Sequence, residues 1–565
     1  MIINLLRFKS ISQLFKADII NVLLIFAVWV TMVILVNPLG DFPLNDDWAY
    51  GRAVQSVVEK GDFQLSGWTA TNLFSQVFWG ALFCLPFGFS FTALRFSTLT
   101  LGLIGILSTY GLLRELNQNY KISLLGALLV AINPIYFGLS NTFMNDIPFF
   151  GFATLSLYFL LRGLKYDSTV VVIIGVLFSF VTILARQIGL AIPVAFGCAY
   201  LIKKEVNIQN GIKGFLPTLL GISIQLYYQK WLQLSSNLPN SYGNQIKTLL
   251  EELHKGLGNA VSNFTQITLF SLIYLGLFIF PFLIVLYSRK IEELSFRNRN
   301  LLLSVSSVFF VIVMKLLVSQ NKIMPLVGNV LVDFGMGPVM LKDSELLKAP
   351  RKLWLIITAI GVVGAILLIQ YVFFTIVKTF AQNQNYSFEE KNWLKVLIIT
   401  AICIYFLPIA FLGLGPFGFY DRYLIFLLPL LMMLASVATT NNSNWNLGYG
   451  AISIALILML LYGVFTIGAT HDYLSWNRTR WQALHNLMQE NQIPPNHING
   501  GFEFNGWYLY DSKYKYKPER NWQWFDSDDY IVSFKLVTGY EEVKRYPFRR
   551  WLPWGEGNIF LLKKY

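Results

Sequence analysis

The sequence predicts an all-α polytopic membrane protein of about thirteen transmembrane helices, each spanning roughly 30 Å of hydrocarbon, with a small water-facing α+β domain at its C-terminus. Three observations predict it. Charged residues make up 13% of the 565 residues and hydrophobic ones 55%; an ordinary soluble domain carries roughly 25% charge. The apolar residues come in runs such as Ile19–Val36, Leu353–Ile376 and Gly448–Thr470, each long enough, or nearly so, to cross the bilayer as a helix. After residue 470 the character changes: seven of the fifteen tryptophans lie in the last 95 residues, among short alternating segments. The mean hydropathy of +0.53 agrees.

The net charge of +13 would suggest nucleic acid in a soluble chain. Here the basic residues sit in short loops between apolar runs, so they read as topogenic charge, and no nucleic-acid partner is expected. Cys84, Cys198 and Cys403 are isolated within apolar stretches, without metal spacing, and read as packing residues. The run behind Arg7, Lys9 and Lys16 is too long for a cleavable leader and lacks a small-residue cleavage site, so it is expected to be the first span.

In order, the spans are placed near 19–36, 94–113, 122–141, 148–163, 169–184, 188–202, 214–232, 264–288, 301–318, 353–377, 396–414, 423–440 and 447–470. Leu73–Phe91 is apolar but holds Gln76 and Pro86. Treating it as half-inserted rather than spanning puts Arg114, Lys121, Arg162, Lys165, Lys203, Lys204, Lys213, Arg289, Lys290, Lys378 and Lys391 inside, as the positive-inside rule prefers. The N-terminus is then cytoplasmic, in a cell (inner or plasma) membrane. Asn37–Thr92, Leu234–Asn263, Ser319–Lys352 and the tail from His471 face outward. The expected division is a transmembrane catalytic part, 1–470, with its first outward loop at 37–92, and an extracytoplasmic domain, 471–565. In the tail, Trp481, Leu484 and Met488 predict a helix near 475–491; Phe502–Tyr510, Asp529–Val537 and Asn558–Lys563 read as strands.

The outward face gathers the chemistry-bearing residues. The first loop runs Asp41-Phe-Pro-Leu-Asn45-Asp46-Asp47-Trp48-Ala49-Tyr50 into a helix with Tyr50, Val54, Val57 and Val58 on one face, an amphipathic segment suited to the interface. Asn45 is a candidate N-cap. Asp46 and Asp47 are either first-turn acids favoured by the helix dipole or members of a site. Asp146 sits in a second acidic turn ahead of Pro148, where it either caps a helix or joins the first pair at membrane level; a carboxylate at that depth needs a partner. Arg186 and Arg422 lie in outward turns against the charge rule. They snorkel or pair locally, or they bind an anionic headgroup, since guanidinium suits phosphate oxygens. The Gly- and Pro-rich segment 324–338 is a candidate flap.

Together these pieces resemble the GT-C superfamily of polyprenyl-phosphate-sugar-dependent glycosyltransferases. The likeness is to bacterial relatives of the dolichyl-phosphate-mannose protein mannosyltransferases and of the lipid A aminoarabinose transferase. It is carried by Asn45-Asp46-Asp47-Trp48-Ala49-Tyr50 and the helix ending Lys60-Gly61-Asp62; by Gly88-x-Ser90-x-x-x-x-Arg95; by the Asp146 turn; and by Asp421-Arg422-Tyr423-Leu424 with Pro429. The resemblance covers about residues 1–200 and 415–430. One departure is that Asp62–Phe74 has no Lys or Arg, where some relatives place a basic residue for the lipid phosphate.

What the resemblance implies is transfer of a sugar from a polyprenyl-phosphate donor to a lipid, glycan or protein acceptor at the outer face. Asp46 would be the general base of an inverting displacement, Asp47 and Asp146 would orient the acceptor or tune Asp46, and Arg422, Arg186 or Lys322 would hold the donor phosphate. The resemblance assigns no definite cofactor. A divalent metal would suit an oxygen-rich site of carboxylates and phosphate, but nothing in the sequence demands one and no metal ligands are assigned. The rival classes are a transporter or lipid-linked-sugar flippase, for which Lys315 is the main charge within a span, and a receptor or scaffold using the aromatic tail.

Overall fold

The computed structural model describes residues 2–116, 118–242, 251, 254, 257–292, 296–333, 335–339, 341, 349–381, 389–412, 418–439, 449–511, 524–525 and 527–565. The side chains of Arg289, Lys290, Lys378 and Lys391, and residues 243–250 and 342–348 of two expected outward segments, lie outside the described residues.

In chain order the helices are α1 (Ile2–Val36), α2 (Asp47–Lys60), α3 (Phe74–Cys84), α4 (Phe91–Glu115), α5 (Tyr120–Ala131), α6 (Pro134–Ser140), α7 (Asp146–Lys165), α8 (Thr169–Ala185), α9 (Ala191–Lys204), α10 (Ile208–Leu234), α11 (Leu257–Glu292), α12 (Phe296–Ser319), α13 (Arg351–Ala381), α14 (Glu389–Leu412), α15 (Leu427–Thr439), α16 (Tyr449–Gln489) and α17 (Phe502–Leu509). A helix occupies each expected span. By length and composition, eight of the described helices can cross a membrane, or nine if a bent pair counts as one span. The expectation of about thirteen exceeds that count because α8, α9 and α15 are short and α10, at 27 residues, is long enough but not apolar enough. The bent pair is α5 and α6, at 61°. Pro134 has no N–H to continue the ladder, and Asn133 takes the amide of Tyr136 at 3.0 Å, which starts a new helix. α3, at eleven residues, rises roughly 16 Å, about half a hydrocarbon core.

Leu301, Val305, Val308, Ile312 and Leu316 of α12 are exposed along one face; so wide an apolar surface belongs against lipid. Inside the bundle, α11 and α13 approach backbone to backbone. A Cβ on Gly276 would sit 2.2 Å from the Ala365 nitrogen, so only glycine permits this crossing.

The bundle has two chemically different ends. At one, Asp18 pairs with Arg114 (2.7 Å), Glu115 with Arg162 (2.5 Å) and Lys165 (3.1 Å), and Asp167 with Lys203 (2.9 Å) and Lys204 (2.8 Å). The other end holds the loop before α2, the start of α7, the end of α8 and the 3-10 turn Asp421–Leu424.

Near the C-terminus, strands β3 (Ile498–Asn499), β4 (Tyr530–Ser533), β5 (Tyr540–Trp551) and β6 (Trp554–Lys564) form a sheet in the order β3-β4-β6-β5; the pair β1 (Leu331–Val332) and β2 (Gly335–Met336) stands apart. The structure departs from the sequence reading at four places. The span at 447–470 and the helix at 475–491 are one helix, α16, of 41 residues, so residue 470 lies mid-helix. Phe502–Tyr510 is helical rather than a strand: Asn505 accepts the Gly500 amide at 3.2 Å and donates to Asn499 at 3.1 Å, and these local bonds wind the chain. The hairpin β5–β6, closed by Leu552-Pro553, was legible only at 558–563. Asn45 does not cap α2: it adopts φ 54 and the helix begins after Asp46. One contiguous apolar core joins the bundle to this tail, including Trp48, Trp481, Phe502 and Phe504.

Candidate active site

The geometry starts from Arg95. Fully buried, it donates to the carbonyls of Pro38 (3.0 Å), Gly40 (2.6 Å) and Phe42, and its guanidinium lies over the Phe42 ring. The carboxylate of Asp41 takes the Phe91 amide at 2.7 Å. The first loop is thereby stapled to the start of α4, and the chain reaches Asp46 in a fixed position. There the side chain of Asp46 makes no cap bond with its own helix. Its Oδ1 accepts from the Trp68 indole at 2.9 Å, and Oδ2 has no protein donor among the described residues. Asp46 is partly exposed while its neighbours Asn45 and Asp47 are buried. Burial raises its carboxyl above the ordinary value; Arg422 and the Trp68 bond pull the other way, and Asp146 and Glu503 raise it further.

Asp146, at the first turn of α7, is 4% exposed and bridges two arginines. Arg186 Nη1 is 3.0 Å from its Oδ1, and Arg422 Nε is 3.8 Å from its Oδ2. Arg186 reaches it from the extended residue that ends α8, and Arg422 from the turn before α15. The two guanidiniums flank the Tyr423 ring, at 5.0 and 5.7 Å. Burial alone would lower Arg422, yet Asp146, Tyr423, Asp46 and Tyr50 hold it above the usual arginine value, so it stays charged. Its Nε has no hydrogen-bond partner among the described residues. The cluster therefore carries one excess positive charge among a carboxylate and two guanidiniums, with Asp46 within electrostatic reach.

Asp47 points elsewhere. It is 1% exposed, and its Oδ2 accepts the Leu44 amide at 3.2 Å, the local role of a first-turn acid. Burial pushes its carboxyl up to about 8. Lys322 is also engaged elsewhere: its Nζ donates to Gln266 at 2.7 Å and lies over Phe270. Asp421 does not pair with Arg422 but accepts the amides of Val330 (3.1 Å) and Leu331 (2.8 Å); it ties the Gly- and Pro-rich segment down beside the site. Among the described residues, no three His, Cys, Asp or Glu come together as metal ligands, and both oxygens of Asp146 already face arginine.

Sequence reasoning missed Trp68, Tyr50, Tyr423 and Glu503. By spacing Tyr50 shares an apolar helix face suited to the interface; in the structure it is 8% exposed beside the site, where burial and Asp46 hold its phenol well above its usual value. Trp68 sits in a polar stretch with no periodic signal, and only its indole bond shows its role. Glu503 lies more than four hundred residues from the loop it touches.

These features define a multi-pass membrane protein with an acid-and-arginine cluster at one end of its bundle. A family model described as dolichyl-phosphate-mannose-protein mannosyltransferase matches residues 77–227, from α3 into α10, and the chain resembles the GT-C glycosyltransferases. That stretch includes Asp146 and Arg186 but not Asp46 or Arg422. No curated protein sequence matches the chain. Among solved structures, the protein O-mannosyltransferase complex of S. cerevisiae bound to its sugar donor is 16% identical with a TM-score of 0.31, over 38% of this chain and 33% of that one. The oligosaccharyltransferase of Archaeoglobus fulgidus tethered to an acceptor peptide is 13% identical with a TM-score of 0.41, over 89% and 60%. ArnT of Cupriavidus metallidurans bound to undecaprenyl phosphate is 12% identical with a TM-score of 0.38, over 96% and 97%. The chain thus spans a third of the first of these and three fifths of the second.

Proposed function

We propose that this protein is a membrane glycosyltransferase that moves a sugar from a polyprenyl-phosphate donor to an acceptor at the extracytoplasmic face, with inversion and with Asp46 as general base. The observation that carries the reading is the pairing of one partly open, unsalted carboxylate, Asp46, with a guanidinium pair held by Asp146. A lipid phosphate needs cationic donors at the membrane rim, and the acceptor hydroxyl or amine needs a base beside them.

The acceptor oxygen or nitrogen attacks the anomeric carbon while its proton passes to Oδ2 of Asp46. The bond from that carbon to the phosphate oxygen breaks, and its electron pair leaves on polyprenyl phosphate. Arg422 and Arg186 stabilise that growing charge. The leaving group is a phosphate and needs no acid, so a single carboxylate suffices. A carboxyl raised above its ordinary value is a stronger base near neutral pH. Asp146 fixes the arginines, Asp47 shapes the loop, and Lys322 has no part.

The sidedness follows from charge. Arg114, Lys121, Arg162, Lys165, Lys203 and Lys204 lie at the end away from Asp46, which by the positive-inside rule is the cytoplasmic one. A cleft of ≈ 680 Å³ runs along the polar stripe of α2, lined by Arg52, Gln55, Glu59, Gln64 and Trp507; Asp46 and the two arginines do not line it. The transporter alternative loses its main support, since Lys315 is exposed about one turn from the end of α12 and is placed to snorkel.

The test is Asp46→Asn in purified full-length protein in liposomes, given undecaprenyl-phosphate-linked sugars from host membranes and cell-envelope fragments as acceptor. Release of undecaprenyl phosphate should fall by about 10²–10⁴ with unchanged thermal unfolding. A parental rate would remove Asp46 from the mechanism, and movement of intact donor across the bilayer without release would favour the flippase.

A further inference from the structure

We propose that Glu503 is a positioning residue for Asp46, and that the C-terminal segment thereby forms part of the catalytic apparatus; this rests on Asp46 being the base. Two contacts join the tail to the residue. Glu503 Oε1 accepts the backbone N–H of Asn45 at 3.2 Å, the residue in the left-handed conformation immediately before Asp46. Trp68, whose indole holds Oδ1 of Asp46, packs against Phe502 at 5.7 Å and Trp524 at 5.8 Å between ring centroids. The backbone ahead of the carboxylate and the donor on its oxygen are thus both set by residues beyond 500.

The other oxygen of Glu503 is bound to Arg480 of α16 at 3.0 Å, with neither side chain exposed at all. Arg480 Nε and Nη2 find no hydrogen-bond partner among the described residues. Removing two charges from water is costly, and such a pair is weak grounds for stability, because apolar side chains of similar volume often serve as well or better. A reason other than stability is needed for an ion pair at this place. The geometry supplies one: Arg480 fixes the Glu503 carboxylate so that its second oxygen meets the Asn45 amide. An L-residue held at φ 54 tends to relax toward negative φ, and that relaxation would swing Asp46 away from Arg422. The anchor opposes it. Gly506, one turn along α17, lets that helix lie flat on Trp48, since a Cβ there would sit 2.4 Å from the indole.

Two double variants separate positioning from packing, in the liposome assay above. Arg480→Met with Glu503→Leu removes both charges and the acceptor for Asn45. Arg480→Met with Glu503→Gln also removes both charges but keeps an amide oxygen for that N–H. The first should lose turnover by tenfold or more, as small displacements of reacting groups do, with KM for the donor and thermal unfolding little changed; the second should keep most of it. Equal turnover in the two variants, or a parental rate in the first, would overturn the inference. Asp46→Asn is run alongside. If it is inactive while the Leu variant is fully active, only the positioning role fails; if it is itself fully active, the base assignment fails first.

Discussion

Neutralising the carboxylate between the two arginines tests the cluster directly. In Asp146→Asn the shape of the side chain is kept while the countercharge is lost. With contacts of 3.0 and 3.8 Å, the gross attraction is roughly 4–6 kcal/mol for each pair at an effective dielectric near 20. Removing one partner from a buried pair costs about 3–5 kcal/mol; because Arg186 and Arg422 keep 14% and 12% of their side-chain surface in contact with solvent, the low end, about 3 kcal/mol, is expected. The same change frees both guanidiniums for phosphate and removes a negative charge that repels it. Undecaprenyl phosphate should therefore bind more tightly, by about tenfold for 1.4 kcal/mol, while turnover slows because the product is the same phosphate. Thermal unfolding of the purified protein and titration with undecaprenyl phosphate give both numbers. Unchanged unfolding together with equal or weaker phosphate binding would refute the claim that Asp146 holds these arginines for an anion.

Other outcomes follow from the loop. Trp68→Phe removes the donor to Asp46, a bond that stabilises its ionised form; the acid limb of the rate profile should move to higher pH, and an unmoved limb would exclude Asp46 as the titrating base. Asp47 is held protonated by burial up to about pH 8, so its folded form binds a proton that the unfolded chain releases near pH 4. Its contribution to stability is full below that value and is lost as pH rises through about 8, with a slope of at most ~1.4 kcal/mol per pH unit. Asp47→Asn, which keeps an acceptor for the Leu44 amide, should flatten the stability profile over that window without abolishing transfer; a rate loss as large as that of Asp46→Asn would make Asp47 a participant in the chemistry.

Membrane class and the helices at the expected spans were present in local composition, because a bilayer imposes one requirement on every segment: a long apolar run or none. The acidic and arginine turns were legible for the same reason, as charges set where hydrocarbon makes them costly. The sequence was silent where distant parts meet. Asp46 and Asp47 are adjacent and chemically alike, and nothing in the sequence tells which faces the arginines; the start of α2 turns one toward Trp68 and the other into Leu44. Lys322 and Arg186 looked equivalent as outward cations, yet only Arg186 reaches Asp146. Phe502–Tyr510 read as a strand because its local bonds, through Asn499 and Asn505, are invisible to periodicity. Glu503 has no local signal at all: its partners, Asn45 and Arg480, come from the first loop and the last long helix. Composition and spacing act over a few residues, and so they determined the class of this protein and the kinds of side chain at its rim. Which of those side chains form one cluster was decided only by packing over hundreds of residues, since hydrogen bonds and ion pairs depend on distance in space.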